Sequence, residues 1–276
     1  MSDPAGMPSN EIAPLLQRWI ETAIEAAAPG HVPLLMISGA QGSGKTTALA
    51  EAIRNTSRRV VGASLDDFYT SPFVRSLRGP KGNPLFAVRG PPGTHKLSQL
   101  NLSVSVLRSA GPGAVTLLPL FDKVADKPAP PSMWRKVHGR PEAVVIEGWM
   151  MGVLPDPGAP DSPPLNAVEA RDTDGVWRGA QEGFLAEAYA DLWDLADGFL
   201  HILAPDFSCV AGWRMEQEAG LRAARGEVMT DEHRAWVLDF IQYYERLTRR
   251  MLAGGRRPGA EIHIDEQRRV LRTSGL

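Results

Sequence analysis

Residues 39–46 read Gly-Ala-Gln-Gly-Ser-Gly-Lys-Thr, and no other stretch constrains the fold so tightly, because of where it falls. It follows a short apolar run, 32–37, entered through Gly30 and Pro33, and it opens a segment of helical spacing from Lys45 to about Asn55. A buried strand passing into a helix through a glycine-rich turn is the setting in which G-x-x-x-x-G-K-[ST] cradles phosphate. The glycines let backbone N–H groups converge on phosphate oxygens, and the helix N-terminus adds partial positive charge. Lys45 is placed to reach the β- and γ-phosphates, and the Thr46 hydroxyl to ligate Mg²⁺. Gly39, Ala40, Gln41, Gly42, Ser43, Gly44, Lys45, Thr46 and Thr47 are therefore the expected nucleotide-binding set. The alternative, a chance match in a glycine-rich chain, does not account for the strand and helix flanks.

Further apolar runs follow at 59–65, 114–121, 143–147 and 198–203, with a short one at 261–265. None alternates cleanly with polar residues and helical stretches separate several of them, which predicts an α/β fold with a parallel sheet covered by helices on both faces. Residues 11–28 carry Ile12, Leu15, Leu16, Trp19, Ile20 and Ile24 at helical spacing. Trp236, Phe240, Tyr244, Leu247 and Met251 form a second stripe, expected to be core, after a cap at Thr230. Three Pro- and Gly-rich stretches, 71–93, 127–141 and 155–179, are long enough to be functional loops. With 276 residues, 43% of them hydrophobic, one domain with a helical lid at 206–228 is expected, preceded by a tail and helix over 1–30.

A net charge of -2 gives no field to hold a nucleic acid along the surface. No apolar run approaches the ~20 residues needed to cross a bilayer. Residues 1–10 lack the basic-then-apolar order of a secretory signal. The one cysteine, Cys209, reads as a buried structural thiol. These features imply a cytoplasmic protein with a small-molecule partner, and leave its oligomeric state open.

A phosphate-binding loop needs a second acidic group at the end of another core strand to hold the magnesium shell. Asp66-Asp67 and Glu147 both fall at strand ends, where ligands of open parallel sheets bind. An acid in that position can also serve only as a helix cap. A carboxylate of the Asp66-Asp67 pair could orient and deprotonate an acceptor hydroxyl. Arg214, Arg222 and Arg225 could neutralise the moving phosphoryl group, although Glu218 lies four residues from both Arg214 and Arg222, so a solvated ion-pair ladder explains the same spacing.

Together with the glycine loop, Ser64-Leu-Asp66-Asp67-Phe-Tyr69, Arg89-Gly90-Pro-Pro-Gly93-Thr-His95, Leu118-Pro119-Leu-Phe-Asp122-Lys123 and Glu147-Gly148-Trp149-Met150-Met-Gly152 occur in order. This series closely resembles the plant-type D-glycerate 3-kinases and their bacterial and fungal relatives, P-loop kinases of the phosphoribulokinase, uridine kinase and pantothenate kinase group. The resemblance spans residues from about 32 to 270. It implies transfer of the γ-phosphoryl group of ATP to a hydroxyl, with Mg²⁺ as cofactor and glycerate or a similar hydroxy acid as acceptor. It further implies Asp66 as acceptor base, and Thr46, Glu147 and Asp66 as metal positions. Lys45 and Arg214 would stabilise the transferring group, and Asp67, Tyr69, Arg89, His95 and Lys123 would line the acceptor pocket. Arg222 and Arg225 would belong to the lid. The family's usual Arg-Gly-Asn-x-Gly-Ser-His-Asp is changed here to Pro91, Pro92, Thr94 and Lys96, so the acceptor wall differs while the phosphate loop is intact. A kinase for a nucleoside or pantothenate-like alcohol, or a nucleotide switch without catalysis, are the alternative readings.

Overall fold

The computed structural model describes residues 11–224 and 226–276; the tail 1–10 and Arg225, with its expected lid role, lie outside the described residues. Helix α1 (Ile12–Ala26) buries Ile12, Leu16, Trp19 and Ile20, as the three-to-four spacing requires. Strand β1 (Leu34–Gly39) is buried at every position and runs into the glycine loop, after which α2 (Lys45–Asn55) begins. Strand β2 (Val60–Ser64) leads into a 3₁₀ turn, Leu65–Phe68. Then come α3 (Pro72–Ser76), α4 (Leu97–Ser109), β3 (Val115–Leu118), the short pair β4 (Phe121–Asp122) and β5 (Lys127–Pro128), β6 (Arg135–His138) and β7 (Ala143–Gly148). The C-terminal half holds α5 (Val176–Phe184), a π-helical turn at Leu185–Tyr189, α6 (Ala190–Asp194), β8 (Gly198–Leu203) and α7 (Ser208–Ala223). It ends with α8 (Asp231–Gln242), α9 (Glu245–Leu252) and a hairpin of β9 (Ala260–Ile264) and β10 (Val270–Ser274).

Six strands form one sheet in the order β10-β9-β8-β1-β7-β2, parallel except for β10 at the edge. Leu34 and Met36 of β1 join Val144 and Ile146 of β7 in a core shared with α4, α5, α6 and α9. Their neighbours Leu35, Ile37 and Val145 pack in the opposite layer with α1, α2 and the first turns of α7. Side chains alternate across a strand, so two covered faces demand the unbroken apolar runs seen in the sequence. The parallel ladder also stacks strand ends: Ile37 and Ser64 both register with Glu147. This brings the glycine loop, Glu147 and the 3₁₀ turn carrying Asp66 to one edge.

The run at 114–121 departs from expectation. It supplies β3, which pairs antiparallel with β6 outside the main sheet. Thr116 and Leu118 are buried while Val115 and Leu117 face outward, so an apolar run here serves a ribbon with only one covered face. The stretch 127–141 was expected as loop, yet holds β6. The C-terminal stripe is also divided. The helix stops at Gln242 and restarts at Glu245; Tyr244, Leu247 and Met251 are buried, but Trp236 is 46% exposed, stacked on Phe240. Thr230 does cap α8, accepting from the His233 N–H. Cys209 is buried and free, and burial pushes its thiol pKa up. Among the described residues, no helix is long and apolar enough to cross a membrane.

The stretch 155–179 is fixed by charge. Asp172 accepts from the N–H groups of Trp177 and Arg178 and pairs with the Arg178 guanidinium at 3.1 Å, with both side chains out of water. Removing one partner of a buried pair leaves the other charge uncompensated. Asp172→Ala should therefore lower the unfolding free energy by about 3 to 5 kcal/mol, read from the urea midpoint at unchanged slope.

Candidate active site

The glycine loop is shaped by close approaches on its outer side. A Cβ at Gly39 would come within 2.7 Å of the Ser43 Oγ, and one at Gly42 within 2.4 Å of the Trp213 Cβ. Gly42 and Gly44 have φ of +79° and +87°, a left-handed backbone that favours glycine. The Ser43 N–H closes a turn onto the Ala40 carbonyl at 3.1 Å. The opening N–H groups of α2 have no intrahelical partner, as in any helix. Buried polar atoms gather beside them without a hydrogen-bond partner: the Ser43 Oγ, both amide atoms of Gln41 and the Glu147 Oε2. Unpaired donors in a cradle that side chains would obstruct fit a phosphate chain.

Glu147 is 3% exposed. Its Oε1 accepts from the Thr46 hydroxyl at 2.9 Å, and the Lys45 Nζ stands 3.9 Å from its Oε2. Mg²⁺ is commonly held by one or two protein oxygens together with phosphate and water, and Thr46 with Glu147 provides such a pair. Thr47 lies in the same first turn and is exposed.

Asp66 sits in the 3₁₀ turn that Ser64 caps. Its Oδ1 accepts from the Tyr69 hydroxyl at 2.7 Å, and its Oδ2 from the Lys123 ammonium at 2.8 Å. Burial alone would raise its pKa, but the Lys123 charge and both hydrogen bonds outweigh it and hold Asp66 well below the usual carboxylate range. Asp67 behaves oppositely: burial, with the nearby charges of Asp66 and Glu147 adding to it, pushes it up to about 6 despite Lys123. Burial tends to lower Lys123, yet the carboxylates of Asp66, Glu147 and Asp67 keep it above its ordinary value.

His95 stacks on Tyr69 with ring centroids 4.6 Å apart, and its Nδ1 lies 2.6 Å from the Tyr189 hydroxyl. That hydroxyl also accepts from the Gly93 N–H at 3.2 Å. The ring has its other nitrogen, Nε2, buried with no partner. Burial holds it neutral, its pKa pushed down to about 3. Arg89 gives one nitrogen to Asp126 at 2.9 Å, and its carbonyl accepts from the Tyr244 hydroxyl. Asp126 also receives the buried Arg75.

The two described lid arginines follow the ladder alternative. Arg214 and Arg222 both pair with Glu218, at 3.2 and 3.6 Å, and Arg222 also reaches Glu227. Arg214 lies over the Phe240 ring. The structure thus gathers Lys45, Thr46, Glu147, Asp66, Asp67 and Lys123, with Tyr69 and His95 behind Asp66, but leaves Arg214 and Arg222 bound on their own helical layer. Sequence reasoning missed Arg75, Asp126 and Tyr189, whose partners are distant in the chain and follow no local period. It also missed Arg268, which donates to the Gly42 carbonyl.

No protein-family model matches the chain. Over 231 residues it is 32% identical to the uncharacterized kinase mug58 of Schizosaccharomyces pombe, covering 78% of this chain and 79% of that one. It is 33% identical to the chloroplastic D-glycerate 3-kinase of Arabidopsis thaliana, across 77% of this chain and 46% of the plant protein. Its fold matches D-glycerate 3-kinase from Cryptococcus neoformans with a TM-score of 0.77 at 24% identity, covering 96% of this chain and 99% of that one. The parallel sheet and phosphate loop define a P-loop nucleotide-binding fold, and the relatives named as kinases make it a P-loop kinase. More particularly, the chain belongs to the kinase family that includes the plant D-glycerate 3-kinase and its fungal relatives.

The Lys123 contact predicts a pH effect. Asp66 is depressed, so its ionised form persists down to its lowered pKa; Lys123→Met removes the main stabilising charge and moves that pKa upward. The acid limb of the kcat profile should shift to higher pH, and an unmoved limb would show that Asp66 does not set it.

Proposed function

We propose that the chain, as one kinase domain, transfers the γ-phosphoryl group of ATP to the hydroxyl of a small hydroxy acid, with D-glycerate the first acceptor to try. The observation that carries this reading is the Asp66 carboxylate, held ionised between Tyr69 and Lys123 beside a strand end that registers with Glu147. Each carboxylate oxygen has two acceptor sites, so Asp66 can receive an acceptor hydroxyl while keeping both present partners. A carboxylate of such low pKa is a weak base. It suits a reaction whose loose transition state needs the nucleophile oriented more than deprotonated early.

Bound Mg²⁺–ATP supplies the phosphoryl group and a dication that balances its charge. The N–H groups of the glycine loop and Lys45 would hold the phosphate chain, and Thr46 and Glu147 the metal, with Asp66 near enough to Lys45 to feel its charge. Asp67 belongs to the acceptor side, where its carboxyl takes up a proton as the pH falls through about 6. Arg89 has guanidinium nitrogens beyond the one given to Asp126, neutral His95 has an unpaired Nε2, and Lys123 contributes a charge. A pocket of donors and cations favours an acceptor that carries a carboxylate. The names of the plant and Cryptococcus relatives support the same choice. Arg214 and Arg222 would meet the phosphates only by exchanging Glu218 for them, which assigns their role to a closed form of the lid.

The test is acceptor-dependent ADP release across hydroxy acids, nucleosides and pantothenate-like alcohols. Hydroxy acids should lead; a nucleoside with the higher kcat/KM would replace the acceptor assignment. In the same assay Asp66→Asn should bind Mg²⁺–ATP as the parent does and lose about a hundredfold or more in kcat. Retained turnover would remove Asp66 from the chemistry.

A further inference from the structure

The turn between β9 and β10 lies far from the glycine loop in sequence and touches it in space. Arg268, in that turn, donates from Nε to the Gly42 carbonyl at 2.6 Å and from Nη2 to Glu216 of α7 at 2.7 Å. Its guanidinium lies 5.1 Å from the centre of the Trp213 ring. Trp213, 2% exposed, donates its indole N–H to the Glu266 carbonyl at 2.7 Å, and its Cβ occupies the space a side chain at Gly42 would need. One turn therefore ties the first half of α7 to the phosphate loop.

The bond to Gly42 matters because of the peptide it holds. The Gly42 carbonyl and the Ser43 N–H belong to one peptide unit; the carbonyl is held by Arg268 and the N–H by Ala40. A peptide next to glycine rotates at little cost. Turned the other way, it would break the Ser43 N–H bond to Ala40 and swing its carbonyl oxygen, which repels phosphate, to the opposite side of the loop. Arg268 itself has φ of +66°, a strained backbone for a residue with a side chain, for which glycine would be the relaxed choice. The strain is retained at a residue whose side chain makes all these contacts.

We propose that Arg268 is a positioning residue for the nucleotide: it locks the 42–43 peptide with its carbonyl turned outward, so that the loop is set for a triphosphate before one binds. The inference rests on the reading of residues 39–46 as the ATP site, and its experiment separates the two. Arg268→Gly removes the side chain and relieves the backbone. The full-length variant is compared with the parent by calorimetric titration with Mg²⁺ and a non-hydrolysable ATP analogue, by thermal melting without nucleotide, and by amide exchange of segment 39–44 without nucleotide.

Expected are a dissociation constant weaker by about tenfold, a melting temperature equal or higher, and faster exchange in segment 39–44. In turnover the KM for ATP should rise while the KM for the acceptor stays, and Arg268→Lys should recover part of the loss. Unchanged exchange in that segment overturns the proposal, as does unchanged affinity. A drop in melting temperature that accompanies the loss of affinity also overturns it, since the hairpin and not the side chain would then be responsible. Absence of analogue binding in the parent would instead defeat the ATP-site reading, with the exchange comparison still judging the role of Arg268.

Discussion

Everything at the site depends on leaving backbone donors unpaired where β1 ends and α2 begins. The first N–H groups of a helix have no intrahelical partner, and the surrounding structure fixes where these few point. β1 is central in the sheet and buried at every position, so its end cannot drift. Gly42 and Gly44 accept left-handed backbone. Ile202 crowds Gly39 from β8, and Trp213 crowds Gly42 from α7. The loop is thus hemmed in on the protein side and open toward the ligand.

The second constraint is electrostatic. Glu147, Asp66 and Asp67 meet at adjoining strand ends, with Lys45 and Lys123 as the nearby cations. Carboxylates this close cannot all ionise freely. Asp66, with two donors on its oxygens, keeps its charge, and the less fortunate Asp67 is pushed up to about 6. The two neighbours, similar in sequence, are made chemically different by Lys123 and Tyr69. A dication at Thr46 and Glu147 would ease the same crowding.

How much was legible in the sequence follows from where each signal resides. Strands β1, β2, β7 and β8 could be read because both faces of a parallel sheet are covered, so the apolar character is continuous. The ends of α2 were legible from the glycine loop before it and the loss of apolar spacing after it. β3 was legible as a strand but not in its placement, since four residues with two apolar side chains turned to solvent look the same as a core strand. β6, reading Arg-Lys-Val-His, carries no strand pattern of its own and exists because β3 needs a partner. Asp66, Glu147 and Lys45 announced themselves by position at strand ends or in a motif. Tyr189, Asp126 and Arg268 act across distances of 94, 37 and 226 residues along the chain, and no local spacing encodes such pairs.

The acceptor side shows how a changed wall can still be rigid. Gly90 and Gly93 have φ of +115° and +90° and lie against the Tyr244 and Phe184 rings, so the loop between them is clamped from outside. Pro91 and Pro92 fill that loop with residues of fixed φ. Its carbonyls are held as well: Gly90 accepts from the Trp149 indole, and Pro91 from the Thr94 hydroxyl. Asp126 draws Arg75 and Arg89 together from beyond it. The π-helical turn that ends in Tyr189 adds the last support, since its hydroxyl holds both the Gly93 N–H and the His95 ring. A loop restrained at so many points cannot reshape itself around different acceptors. On the proposed function, selectivity would then reside in the few groups that still have unused hydrogen-bonding capacity, namely Arg89, His95 and Asp66.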